Sequence, residues 1–250
     1  MIGIVGGVGP LAGLDVFKKI IEETDVQKDQ DHLPVLLMSY PHLIVDRTEY
    51  LLNKIDVNPA YALADIIKKL ADNGVTAAAI PCNTAHAQAI FSVVEQELAK
   101  NKVNIKLLHL VKETVNQIKL NAPNAKVAVL STTGTRNTGL YKNILVDAGL
   151  TVVEPSIDWQ NRVHDAIYDP TYGIKAFSSP VKEKAVQELQ QCIDVLIQEN
   201  ATHFILGCTE LPLAFPETSY KGIPLIDPNR IIARALIREV AAEKLKKQDA

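Results

Sequence analysis

Short apolar runs alternate with amphipathic stretches along the chain. Ile2–Gly6 is an apolar run closed by glycines. Pro10 follows, a residue suited to the first turn of a helix because the N–H it lacks is not needed there. Apolar residues then recur at helical spacing to about Thr24, with Leu11, Leu14, Phe17, Ile20 and Ile21 on one face. Residues 35–38 read as a second strand, 61–71 as a helix, and 75–80 as a third strand ending at Pro81-Cys82. Further strands are expected near 126–130, 152–153, 204–206 and 224–226. Strands that alternate with helices predict an α/β fold with mostly parallel sheets flanked by helices.

The alternation repeats. Residues 62–82, ALADIIKKLADNGVTAAAIPC, and 188–208, ELQQCIDVLIQENATHFILGC, align without a gap at an offset of 126. Each is an amphipathic helix, a polar turn, an apolar strand and a cysteine at the strand's carboxyl end. The same offset lays Gly7 on Thr133, Gly13 on Gly139 and Leu14 on Leu140. The pattern predicts two similar lobes related by a pseudo-twofold axis. Residues 1–103 with 223–250 are assigned to the first lobe and 104–222 to the second. Ligands of open parallel sheets bind outside the carboxyl ends of the strands, so Cys82 and Cys208 are expected on opposite walls of one cleft.

Composition narrows the picture by exclusion. A net charge of -3 with no long basic cluster gives no footprint for nucleic acid. No apolar run reaches the roughly 18 residues that span a bilayer. The start of the chain lacks a basic n-region, so no signal peptide is read there. Three cysteines do not suggest a disulfide framework. A cytoplasmic protein with reduced thiols is the expectation.

Cys82 stands in Pro81-Cys82-Asn83-Thr84-Ala85-His86, where it is read as opening a helix whose positive end favours a thiolate. Asn83 and Thr84 supply donors for a carboxylate. The repeat puts Cys208 in the same place, followed by Thr209 and Glu210. The offset lays Cys192 on Ile66, inside an amphipathic helix with Leu189, Ile193 and Leu196 nearby; it is read as a packing residue. Cysteines so far apart in sequence lack the paired spacing of a structural zinc site. Gly7-Val8-Gly9-Pro10-Leu11-Ala12 fits the glycine fingerprint of dinucleotide sites. No acidic residue ends the second strand, however, and Pro10 removes an N–H from the turn. Gly9 is therefore assigned to an anionic ligand such as a carboxylate. Arg47, in Asp46-Arg47-Thr48, lies in a loop over a strand end, where a guanidinium grips a carboxylate in bidentate fashion. Lys175 occupies the corresponding loop of the second lobe.

Six motifs in order along nearly the whole chain resemble the aspartate/glutamate racemase family, most closely its aspartate racemase branch. They are Gly6-Gly7-Val8-Gly9-Pro10, Asp46-Arg47-Thr48, Pro81-Cys82-Asn83-Thr84-Ala85-His86, Ser131-Thr132-Thr133-Gly134-Thr135, Gly207-Cys208-Thr209-Glu210 and Ile226-Asp227-Pro228. The resemblance implies a homodimer, an acidic amino-acid substrate, and neither pyridoxal phosphate nor metal. It implies Cys82 and Cys208 as an acid/base pair. It sets Asn83, Thr84, Thr132, Thr133 and Thr209 around the α-amino and α-carboxylate groups, with Arg47 and Lys175 on the side-chain carboxylate. Two loops, 40–45 and 168–175, are longer than the family pattern, and both border the side-chain pocket. Related two-cysteine enzymes, among them maleate isomerases, hydantoin racemases and broad-specificity racemases, remain as alternatives. So do a nicotinamide-dependent dehydrogenase and a non-catalytic binder of acidic amino acids.

Overall fold

A computed structural model describes residues 1–247. In chain order the first half holds β1 (Ile2–Gly6), α1 (Pro10–Glu23), β2 (Val35–Ser39), α2 (Arg47–Leu51), α3 (Ala60–Asp72), β3 (Ala77–Ala79), α4 (Gln88–Lys100) and β4 (Lys106–Leu108). The second half holds α5 (Leu110–Asn121), β5 (Lys126–Leu130), α6 (Thr133–Asn137), α7 (Leu140–Asp147), β6 (Thr151–Val153), α8 (Ile157–Tyr168), α9 (Glu183–Gln198), β7 (His203–Leu206), β8 (Ser219–Tyr220), β9 (Ile223–Ile226) and α10 (Pro228–Ala241).

Two sheets result, ordered β2-β1-β3-β4 and β6-β5-β7-β9-β8. Leaving aside β8, an antiparallel addition at one edge, the two orders are the same arrangement and every pairing in it is parallel. The offset in the sequence is thus a repeat of topology: β1 corresponds to β5 and β3 to β7. Continuous apolar runs form these strands because both faces of a parallel sheet are covered; all five residues of β1 are buried.

Strand membership corrects the expected lobe boundary at both crossings. β4 was assigned to the second lobe but pairs with β3 in the first sheet. β9 was assigned to the first lobe but pairs with β7 in the second. The exchange between lobes happens one element later. α5 leaves β4 to pack on α7 and α10, and α10 leaves β9 to pack on α1. Each strand completes its own sheet's ladder, while the following helix shields apolar surface of the other half. One hydrophobic cluster accordingly contains Ile4, Ala79 and Leu108 from the first half and Val127, Leu145 and Ile205 from the second.

The buried face of α1 also differs from the expected one. Ala12, Gly13, Val16, Lys19 and Ile20 are buried, whereas Leu14 and Ile21 are 54% and 45% exposed. Packing between sheet and α10 selects the small residues at the closest approach: a Cβ on Gly13 would stand 3.0 Å from Leu37 Cδ1. Lys19 is buried through ion pairs with Asp15 and Asp227. Among the described residues, no helix is long and apolar enough to cross a membrane.

Candidate active site

One cleft between the halves is lined by Cys82, Asn83 and Thr84 from the turn after β3 and by Cys208, Thr209 and Glu210 from the turn after β7. Val8, Arg47, Thr48, Thr132, Tyr168 and Lys175 complete it. Both cysteines are 6% exposed and unpaired. They reach the cleft because each follows a buried strand that stops short, leaving the chain to turn at the sheet's carboxyl end. Neither opens a long helix. Cys82 precedes a single 3₁₀ turn, Thr84–His86, and Cys208 precedes another, Leu211–Leu213. The expected helix dipole at Cys82 is therefore minor, and side-chain charges set the electrostatics.

Arg47 supplies the charge beside Cys82. It begins α2, which Asp46 caps by accepting from Glu49 N at 2.9 Å. Tyr168 donates to the other Asp46 oxygen at 3.1 Å, so this carboxylate is committed elsewhere. The guanidinium donates only weakly, to Val45 O at 3.3 Å and Val8 O at 3.4 Å. Its Nε is buried without a partner, and Arg47 joins no ion pair among the described residues. Burial opposes its charge, but Cys82 and Asp46 alongside outweigh that and hold it protonated.

Cys208 has a different neighbourhood. Its Sγ–H donates to Glu210 Oε2 at 3.0 Å. Glu210 Oε1 in turn accepts from Lys175 Nζ at 2.9 Å. Burial and then the Glu210 carboxylate push the Cys208 thiol far above its ordinary range. Lys175 offsets the burial of Glu210 and holds that carboxyl below its usual value; Glu210 does the converse for the ammonium.

Carboxylate donors complete the cleft. Asn83 Oδ1 accepts from the buried Tyr141 hydroxyl at 2.5 Å, while Asn83 Nδ2 is buried with no partner. That orients a free amide N–H₂ beside Cys82. Thr84 Oγ1 lies 2.8 Å from Thr135 Oγ1, and Thr48 Oγ1 lies 3.4 Å from Thr132 Oγ1, so threonine pairs tie the halves together. Free volume is ≈ 10 Å³, about one water's worth.

Of the site residues expected from sequence, Gly9 and Thr133 are not among those lining the cleft. Gly9 has φ 118°, and its Cα faces Glu210, whose Oε1 a Cβ would overlap. The Thr133 N–H donates to His164 Nδ1 at 3.3 Å. Sequence reasoning did not single out Glu210, Tyr168, Thr48 or Val8 as site residues. Three of them adjoin a chosen residue: Val8 precedes Gly9, Thr48 follows Arg47 and Glu210 follows Thr209. Cys192 is fully buried in the second lobe's core, where burial pushes its thiol up to about 12.

His86 anchors the first cysteine from behind. Its Nδ1 donates to Cys82 O at 2.8 Å, and its Nε2 accepts from Leu110 N at 3.2 Å. Burial lowers its pKa to about 4, so the ring is neutral with the proton on Nδ1. Asn229 is the counterpart behind Cys208, donating to Thr209 O at 3.0 Å and to Asp15 Oδ2 at 2.7 Å. A larger groove of ≈ 610 Å³ is lined by parts of α1 and α10. It holds neither cysteine, and its Arg230 and Arg234 are paired with Glu22 and Glu23. No cluster of three or more metal-ligating side chains occurs among the described residues.

A family model for Asp/Glu/hydantoin racemases matches residues 5–236. The broad specificity amino-acid racemase RacX of Bacillus subtilis (strain 168) is 28% identical over 243 residues, 95% of this chain and 96% of that protein. A glutamate racemase of Ralstonia pickettii (strain 12J) is 27% identical over 246 residues, covering 94% and 75%. Among solved structures, the Picrophilus torridus aspartate racemase superposes with a TM-score of 0.81 at 28% identity, covering 98% of this chain and 96% of that one. An aspartate racemase homologue from Pyrococcus horikoshii has a TM-score of 0.70 at 25% identity, covering 95% and 97%. With the repeat, the fold and the match agreeing over nearly its whole length, the chain belongs to the Asp/Glu/hydantoin racemase family and is an isomerase of the racemase class.

Proposed function

We propose that the protein interconverts the enantiomers of an acidic amino acid, aspartate first, by moving a proton between Cys82 and Cys208 across the α-carbon. The observation that carries this reading is the cleft itself, in which one sulfur from each half and an arginine free of any carboxylate partner share a lining. Racemisation removes the α-proton from one face and returns one to the other. Two groups on opposite walls do this without turning the substrate over. One cysteine as thiolate takes the proton while the other, as thiol, gives its own; the sulfurs end with their roles exchanged, ready for the opposite enantiomer.

The α-proton is far less acidic than a thiol, so the barrier falls only if the carbanion-like state is stabilised. Negative charge then spreads onto the α-carboxylate. The unpartnered amide of Asn83 and the hydroxyls of Thr84, Thr132 and Thr209 are the donors for it, strongest in a closed cleft from which water is expelled. Arg47 is the partner for the side-chain carboxylate. Assembly as a homodimer and a cytoplasmic setting fit this reading and are part of the proposal.

A broad-specificity racemase is the second reading, favoured by one observation: Lys175 is already neutralised by Glu210, leaving Arg47 alone to read an acidic side chain. Proton NMR in D₂O with a panel of L- and D-amino acids, and no added cofactor, tests both. Loss of the α-proton signal confined to aspartate supports the first reading, and loss across neutral amino acids the second. No exchange with any amino acid refutes both.

A further inference from the structure

We propose that Glu210 is a positioning residue that makes the two cysteines unequal before substrate arrives: it holds Cys208 as the protonated donor, whereas Cys82 faces Arg47 with no such carboxylate beside it. The inference deepens the two-cysteine reading and rests on it. The topology that carries the sulfurs is a repeat, so the strand order does not distinguish them. Their exposure is equal at 6%. What breaks the symmetry is a buried carboxylate that occurs beside only one of them. Asn83 and Thr84 follow Cys82, whereas Thr209 and Glu210 follow Cys208.

Four charged or titratable groups line the cleft with Cys208, besides Cys82 itself. Glu210 Oε2, on the same turn, accepts the Sγ–H at 3.0 Å. Lys175, from the segment after α8, holds the other carboxylate oxygen at 2.9 Å and keeps Glu210 ionised despite burial. Tyr168, at the end of α8, is neutral, since burial holds its hydroxyl proton on. Arg47, from α2 of the other half, adds to the field that keeps Glu210 ionised. A thiol donating to a carboxylate is favoured over a thiolate beside one, because the thiolate loses the hydrogen bond and gains a like charge. The carboxylate has a place made for it. Gly9 has φ 118° and no Cβ, and any Cβ there would overlap Glu210 Oε1. The loop assigned from sequence to an anionic ligand thus already faces a carboxylate belonging to the protein.

Steady-state rates alone conceal such an inequality. Enantiomers have equal free energy, so kcat/KM is the same in both directions whatever the site does. Thiol reactivity in the free protein exposes it, because the thiolate is the nucleophile. It also needs no turnover, so it reads the role of Glu210 even if the D₂O exchange experiment refutes the racemase reading.

The experiment follows iodoacetamide labelling of each cysteine across pH by peptide mass spectrometry, with the buried Cys192 reporting unfolding. In the wild-type protein Cys82 should be labelled ahead of Cys208. In Glu210→Gln the Cys208 profile should move to lower pH, raising its labelling rate at pH 8 by about ten-fold, one unit of pKa, with Cys82 changed less than about two-fold. Glu210→Asp, which keeps the charge, should move it less than Glu210→Gln. If Glu210→Gln exposes Cys192 by unfolding, Lys175→Met decides, since leaving the carboxylate unbalanced should slow Cys208. An unmoved Cys208 profile in folded Glu210→Gln, equal shifts with Gln and Asp, or faster Cys208 labelling in Lys175→Met overturns the proposal.

Discussion

His86 gives a prediction whose size follows from its surroundings. The ring is fully buried and neutral, joined to Cys82 O and Leu110 N. Its pKa is about 4 in the folded protein, against about 6.5 in an unfolded chain. Between those values the unfolded chain binds the proton more readily. The stability due to the neutral ring is therefore complete above pH about 6.5 and lost as pH falls towards about 4. From pH 7 to pH 5 the loss is about 2 kcal/mol, at about 1.4 kcal/mol per pH unit over the 1.5 units below the unfolded pKa. His86→Phe keeps a ring against Phe91 and His109, whose centroids lie 4.9 and 4.7 Å from that of His86, but removes both nitrogens. At pH 7 it strands a buried carbonyl and a buried N–H, costing about 2–5 kcal/mol together. Denaturant unfolding of both proteins at the two pH values gives the test. The gap should narrow by about 2 kcal/mol at pH 5, because only the wild type carries the proton-linked loss. The other titrating residues are common to both proteins, and His109, whose pKa His86 helps to lower, is the one that the substitution also touches. A gap of equal size at both pH values refutes a neutral, buried His86.

Other substitutions probe the cleft directly. Cys82→Ser and Cys208→Ser should each abolish racemisation, and D₂O exchange checks both, a single variant being expected to exchange the α-proton of one enantiomer only; full activity in Cys208→Ser removes the two-base scheme. Arg47→Ala should raise KM for aspartate much more than for a neutral amino acid, and equal losses would show that it does not read the side chain. Tyr141→Phe frees the amide of Asn83 and should lower kcat about ten-fold or more, equivalent to about 1.4 kcal/mol of transition-state stabilisation; an unchanged kcat would show that Asn83 needs no such anchor. Gly9→Ala should destabilise the protein by at least about 1–2 kcal/mol from its positive φ alone, and thermal unfolding measures it.

Much of the architecture was legible because it is written in periodicity and spacing. The strand-helix alternation predicted parallel sheets, and the gapless match ending in Cys82 and Cys208 placed both sulfurs at strand ends facing one cleft. Illegible features depended on contacts between segments distant in sequence. Periodicity put Leu14 and Ile21 on the apolar face of α1, but the packing partner, α10, lies more than 200 residues away and selects Gly13 and Val16. The lobe boundary was missed at β4 and β9 because an apolar strand followed by a helix does not reveal that the two elements serve different halves. From sequence, Lys175 is assigned to a substrate side chain, whereas in the structure it pairs with Glu210, 35 positions on, which the sequence alone does not single out. A carboxylate next to a cysteine motif carries no mark of where it points.

The crossings between halves have a mechanical consequence. The polypeptide passes from one half to the other at 108–110 and returns at 226–228. Beside each pass stands a single side chain tethered to a cysteine turn, His86 from Leu110 N–H to Cys82 O and Asn229 from α10 to Thr209 O. Any change in the spacing of the two halves would act through those two passes and, by way of His86 and Asn229, on both sulfur-bearing turns at once.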